Sequence, residues 1–171
     1  MSRPGANPVT AHSLPGTGTV SDARTLAIQL SNSTWRLLQL DCRTAADCDV
    51  LPHMAHASRF HWGQVTVAEP ADHARAEWLI SRVYAVLGRP EPALHHGRRV
   101  LDICAAADIG DWDLAFAYEA LARAHALGGN YRQARACTDR ALAAAQDITR
   151  RGDRDLLLAD LENIPGQARY W

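Results

Sequence analysis

The chain contains no lysine; all eighteen of its basic side chains are arginine. With the abundant alanine this reads as coding bias, yet it also supplies planar cations able to pair bidentately with carboxylates or phosphates. An excess of charge of either sign is missing too. Eighteen basic residues against nineteen acidic ones give a formal net charge of -1, so no overall attraction draws the protein to nucleic acid or to anionic lipid. No apolar run is long enough to cross a bilayer, and the opening segment MSRPGANPVTAHSLPGTGTV has no apolar stretch of the secretory kind. The expected location is the cytoplasm, with neither a nucleic-acid nor a membrane partner. CxxC pairs are absent, so Cys42, Cys48, Cys104 and Cys137 are expected to be free thiols. A phosphate-cradling glycine loop, GxSxG and HExxH are lacking as well, which weighs against nucleotide-dependent and nucleophilic enzymes. Sustained period-two alternation is not found, and no strand is expected.

What is present is helical. At 171 residues and 47% hydrophobic, the chain is long enough for one domain with a real core. Residues 1–20, rich in Pro, Gly, Ser and Thr, are expected to form a disordered tail, and residues 21–171 a single helical domain. Ser21 is a plausible cap for a first helix reaching about residue 40, with polar Asn32, Ser33 and Thr34 in its middle. A second helix is expected from about Thr44 to Trp62, where Pro52 either kinks it or marks its true first turn. Pro70 opens a third helix ended by Gly88, and Pro90 opens a fourth that stops around Asp108 to Gly110. Asp111 can cap a fifth helix ended by Gly128 and Gly129, and Asn130 a sixth running to about Thr149. A short seventh helix from Asp153 to about Asn163 completes the series.

The two turn glycines, Gly88 and Gly129, lie 41 positions apart, and aligning them places Pro90 on Tyr131, Ala93 on Ala134, Val100 on Ala141 and Leu101 on Leu142. The segment GNYRQA, followed by Ala141 and Leu142, resembles the turn and second helix of the tetratricopeptide (TPR) repeat, best over residues 115–148 and more weakly over 74–107. Gly97 stands where that repeat expects a bulky aromatic, neither repeat has the usual late proline, and the period exceeds the standard of about 34 residues. Pieces such as HASRFHW, AEWLISRVYAVLG and AFAYEALARA also resemble a family of small bacterial helical proteins. The resemblance implies an all-α, TPR-like right-handed stack of about three antiparallel helix pairs, capped by the seventh helix. An irregular helical bundle is the alternative.

In TPR arrays the first helix of each pair lines a concave surface and touches the ligand. Carried over, those positions are Arg75, Trp78 and Arg82 in the third helix, and Phe116, Glu119 and Arg123 in the fifth. Two guanidinium groups beside Trp78 and Phe116 suit an acidic peptide segment or a small anionic ligand. The bland alternative is that Glu119 and Arg123, four apart, simply pair along their helix. A second constellation is His53, His56 and His61. On a straight helix His53 faces either of the others, but His56 and His61 diverge by about 140°. With Glu77 or Glu119 these imidazoles could hold Zn, Cu or Fe in a small metal-dependent enzyme, Cys42 and Cys48 being further soft ligands; solvated histidines are the alternative. Glu77 replaces a large packing residue of the TPR pattern, so a carboxylate there needs a partner; Arg59, His56, Arg82 and Arg123 are the candidates. His95, His96, Arg98 and Arg99 read as a solvated face. Self-association into a homo-oligomer stays open.

Overall fold

The computed structural model describes residues 20–166 and 168–171. Apart from Val20, the tail expected over residues 1–20 lies outside the described residues. The elements are α1 Val20–Leu38, α2 Ala45–Trp62, α3 Pro70–Val86, α4 Pro90–Ala106, α5 Asp111–Leu127, α6 Tyr131–Ala144 and α7 Arg151–Glu162, with one 3-10 turn at Ala145–Asp147. Among the described residues there is no strand. Consecutive helices pack in pairs, α1 on α2, α3 on α4 and α5 on α6, giving an all-α helical-repeat fold. The first helices of the pairs also meet one another, α1 with α3 and α3 with α5, and α7 lies against α5. No helix is long and apolar enough to cross a membrane among the described residues.

The turns ending α3 and α5 show how local chemistry sets this architecture. Gly88 has φ 70° and Gly129 φ 75°, a left-handed conformation that L side chains adopt only with strain. The hydrogen bonds around them repeat at the same spacing. Arg89 N donates to Tyr84 O at 2.9 Å and Gly88 N to Ala85 O at 3.1 Å; Asn130 N donates to His125 O at 2.8 Å and Gly129 N to Ala126 O at 3.0 Å. The helix that follows each turn presents its alanine, Ala93 or Ala134, fully buried. Where α4 has Gly97, a Cβ would stand 3.2 Å from Leu121 Cδ2. Leu121 of α5 thus fills the space that a large residue would take, and α4 and α5 approach closely.

Several boundaries differ from expectation for local reasons. Helix α1 begins at Val20, so Ser21 is inside its first turn. Thr44 and Asp47 form a reciprocal cap, with Asp47 N donating to Thr44 Oγ1 at 3.2 Å and Thr44 N to Asp47 Oδ2 at 2.9 Å. Pro52 is therefore interior to α2, not in its first turn, and costs the helix one backbone donor. Helix α5 has Gly110 at its cap position, while Asp111, at φ 53°, accepts from Thr149 Oγ1 at 3.3 Å. Helix α6 stops at Ala144, and the 3-10 turn takes the chain toward α7.

The core runs along the row of first helices. Trp78 stands where three apolar clusters meet, stacked on Trp35 of α1 at 5.4 Å and edge-on to Phe116 of α5 at 5.5 Å. Polar threads stitch the pairs: Ser58 Oγ donates to Ala27 O and Ser81 Oγ to Ala93 O, each at 2.8 Å. Cys104 and Cys137 are buried, whereas Cys42 is exposed and Cys48 partly so, and all four are free thiols. Burial pushes the Cys104 thiol up to about 11, helped by the Asp113 charge, and raises Cys137 as well. A disulfide-exchange thiol reagent at pH 8 is therefore expected to label Cys42 and Cys48 of the native protein quickly, and Cys104 and Cys137 only in denaturant. Rapid labelling of all four would contradict this packing.

Candidate functional site

Two charged clusters grow from α3, on different faces. Glu77 and Arg82 are five positions apart, about 140° around the helix, so the first looks toward α2 and α4 and the second toward α5 and α7.

Glu77 is 2% exposed. Its Oε1 accepts from Arg59 Nε at 2.9 Å and pairs with Arg99 Nε at 2.9 Å, while Oε2 is 2.7 Å from His96 Nδ1. Burial alone pushes this carboxyl up, but the bonds from His96 and Arg99 and their charges outweigh it and bring it down to about 2. Of its expected partners only Arg59 is bonded to it. Of the run expected to form a solvated face, His96 turns inward beside the buried stripe Ala93, Gly97, Val100 and Cys104, whereas Arg99 is exposed and reaches Glu77 from the surface. His95 and Arg98 remain exposed.

From His96 a series of rings leads outward. Its ring is 5.2 Å from that of His56 and stacked at 5.9 Å on Tyr84, and His56 Nε2 lies 3.0 Å from the Tyr84 hydroxyl. Although His56 as a residue is exposed, its ring is packed against these two; that burial, then the His96 charge, holds it below the ordinary imidazole value, with Glu77 opposing. The series opens into a cleft of about 980 Å³ lined by Cys48, Pro52, His53, His56, Tyr84 and Arg89, among others. His53 joins His56 at this cleft, but His61 packs edge-on against Phe60 instead, at 5.5 Å. Among the described residues no three His, Cys, Asp or Glu side chains gather as a metal-ligand set.

The second cluster is the one around the groove positions. Glu119, 1% exposed, accepts from Arg123 Nε at 2.6 Å and faces Arg82 Nη1 at 3.6 Å. Arg82 also pairs with Asp160 Oδ2 of α7 at 2.5 Å, and its guanidinium lies 5.4 Å over the Trp78 ring. Arg123 reaches the end of the same helix, donating from Nη2 to Asp160 O at 2.6 Å and from Nη1 to Asn163 O at 3.3 Å. Two guanidinium groups thus meet two carboxylates and two carbonyls at the C-terminal end of α7, where Asp160 O also accepts from Asn163 N at 3.2 Å and the helix end favours a cation. Burial pushes the Arg82 pKa down, but Glu119 and Asp160 more than offset it; burial and the Glu119 charge raise Asp160.

No family model, curated protein or solved structure matches the chain. The geometry alone bears on function. It brings Trp78, Arg82, Phe116, Glu119 and Arg123 into one neighbourhood and leaves Glu77 and the histidines outside it. Near the same row, Arg75 grips Asp113 through two bonds of 2.9 Å and lies 4.7 Å over Trp112. Asp113 is the position that sequence reasoning overlooked there; its signal is an acidic residue on the buried side of α5, two positions before Ala115. Asp160 was equally unmarked, since nothing local says which face α7 turns inward.

Proposed function

We propose that this is a cytoplasmic, TPR-like binding protein whose groove, formed by α3 and α5, receives an acidic peptide segment or a small anionic ligand. The right-handed winding of such a stack belongs to this reading. The observation that supports it is the convergence of Arg82 and Arg123, from matching positions of successive repeats, on the acidic end of a third helix. Helix α7 occupies the groove as a ligand in cis: Asp160 meets Arg82, and its terminal carbonyls meet Arg123. With α7 seated the cluster is balanced, two cations against two anions. Withdrawal of Asp160 leaves two guanidiniums against Glu119 alone, a net positive pocket beside Trp78.

A peptide of residues 150–164, added in trans, tests this in the full chain. The tethered helix competes at high effective concentration, so the wild type should bind the peptide weakly. Asp160→Asn, which weakens the tethered copy, should bind it at least tenfold more tightly, followed by the fluorescence anisotropy of a dye-labelled peptide. Adding Arg82→Ala should remove that gain. Equal, Arg82-independent binding by all three proteins would sink the proposal.

A further inference from the structure

The cleft between α2 and the turn joining α3 to α4 is separate from the groove and differently charged. Behind it, one carboxylate, Glu77, serves two guanidinium groups, Arg59 and Arg99, besides His96. Among the described residues neither arginine has another carboxylate partner within bonding distance, so this cluster carries an excess positive charge, unlike the balanced groove. At the cleft itself Arg89 has no carboxylate partner among the described residues either; the residue is exposed and its guanidinium lies 5.1 Å over the Tyr84 ring. Asp49 is the acidic group on the wall. Tyr84 and His56 add a hydroxyl and an imidazole nitrogen already within hydrogen-bond distance of each other, while Pro52 and Leu87 contribute apolar surface.

We infer that this cleft is a binding site for a small organic anion, a carboxylate or phosphate monoester with an apolar body. Arg89 provides the fork for the anionic oxygens, Tyr84 and His56 supply the further polar contacts, and Pro52 and Leu87 pack on the body. The excess charge of the Glu77 cluster lies behind the ring series and favours negative charge at the cleft. His96, anchored on buried Glu77 through Nδ1, holds the rings of His56 and Tyr84 in place as a positioning residue.

Benzoate and phenyl phosphate are suitable probes, with benzamide as the uncharged control, each titrated into the full-length protein while the His56 and Tyr84 ring signals are followed by NMR. Saturable shifts with either anion, and none with benzamide, are expected; which anion binds more tightly tells carboxylate from phosphate as the natural group. Arg89→Ala should weaken binding at least tenfold and Arg89→Lys less, because lysine restores the charge without the fork. The bound anion should also raise the pH at which His56 titrates, against the fields of His96, His53 and Arg89 and with those of Glu77 and Asp49. Equal shifts with benzamide, or anion affinity unchanged by Arg89→Ala, would overturn the inference. Arg82→Ala should leave this binding intact, so the cleft and the groove stand or fall separately.

Discussion

Replacing Glu77 by alanine is expected to cost the fold about 3–5 kcal/mol, the range for removing one partner of a buried ion pair. The loss arises less from the bonds themselves than from what stays behind. Arg59, Arg99 and His96 would face one another across a site with no anion, and like charges within a few ångströms repel. The same residue governs an acid limb of stability. Its folded pKa of about 2 lies below the ordinary 4.5, so the stabilisation is complete above pH 4.5 and disappears as pH falls toward 2. The shift corresponds to about 3 kcal/mol. Urea unfolding of wild type and Glu77→Gln at a series of pH values should show the stability gap between them closing over that window. A gap independent of pH would mean that Glu77 is not held as an ionised carboxylate.

Glu119→Ala is the second large effect, again expected at about 3–5 kcal/mol. Its carboxylate is the point at which α3, α5 and α7 are joined, since Arg82 and Arg123 both meet it and both continue to α7. Without it the two guanidiniums oppose each other, and α7 should loosen before the rest of the stack does. At about 2–4 °C per kcal/mol for a domain of this size, the melting temperature should fall by roughly 6–20 °C. Trypsin offers a local readout, because every basic residue is an arginine and Arg150, Arg151 and Arg154 lie at the start of α7. Cleavage there should accelerate in Glu119→Ala under conditions where α3 to α6 stay intact. Uniform acceleration along the chain would instead indicate that Glu119 contributes to global stability without fastening α7.

What could be read from the residues was what depends on near neighbours. Gly88 and Gly129 announce their turns because a left-handed residue after a helix is a local requirement, and the two turns do share one hydrogen-bond pattern. Proline at the start of α3 and α4 is equally local. Glu77 was legible as a carboxylate in need of partners, since its position falls among apolar residues of α3. Which residues would answer it was not legible. The run His95, His96, Arg98, Arg99 looks like a hydrated surface as a string of letters, and three of its members are exposed, but His96 turns in and Arg99 reaches from the surface to the same buried carboxylate. The histidines of α2 separate as helical geometry requires, with His53 and His56 at the cleft and His61 against Phe60. The role of α7 depends on contacts between residues far apart in the chain, such as Arg82 with Asp160. A helix of twelve residues can dock by several faces, and only the packed whole selects the one carrying Asp160.

If the α3–α5 groove recognises acidic segments, α7 is its resident occupant and an added acidic segment must displace it. Amide hydrogen exchange on the intact chain, with and without an excess of the peptide of residues 150–164, tests it most directly. The expected result is faster exchange in α7 as the peptide takes its place, with protection of α3 to α6 unchanged. Peptide binding that leaves α7 fully protected, or no change at any concentration in Asp160→Asn, would contradict it.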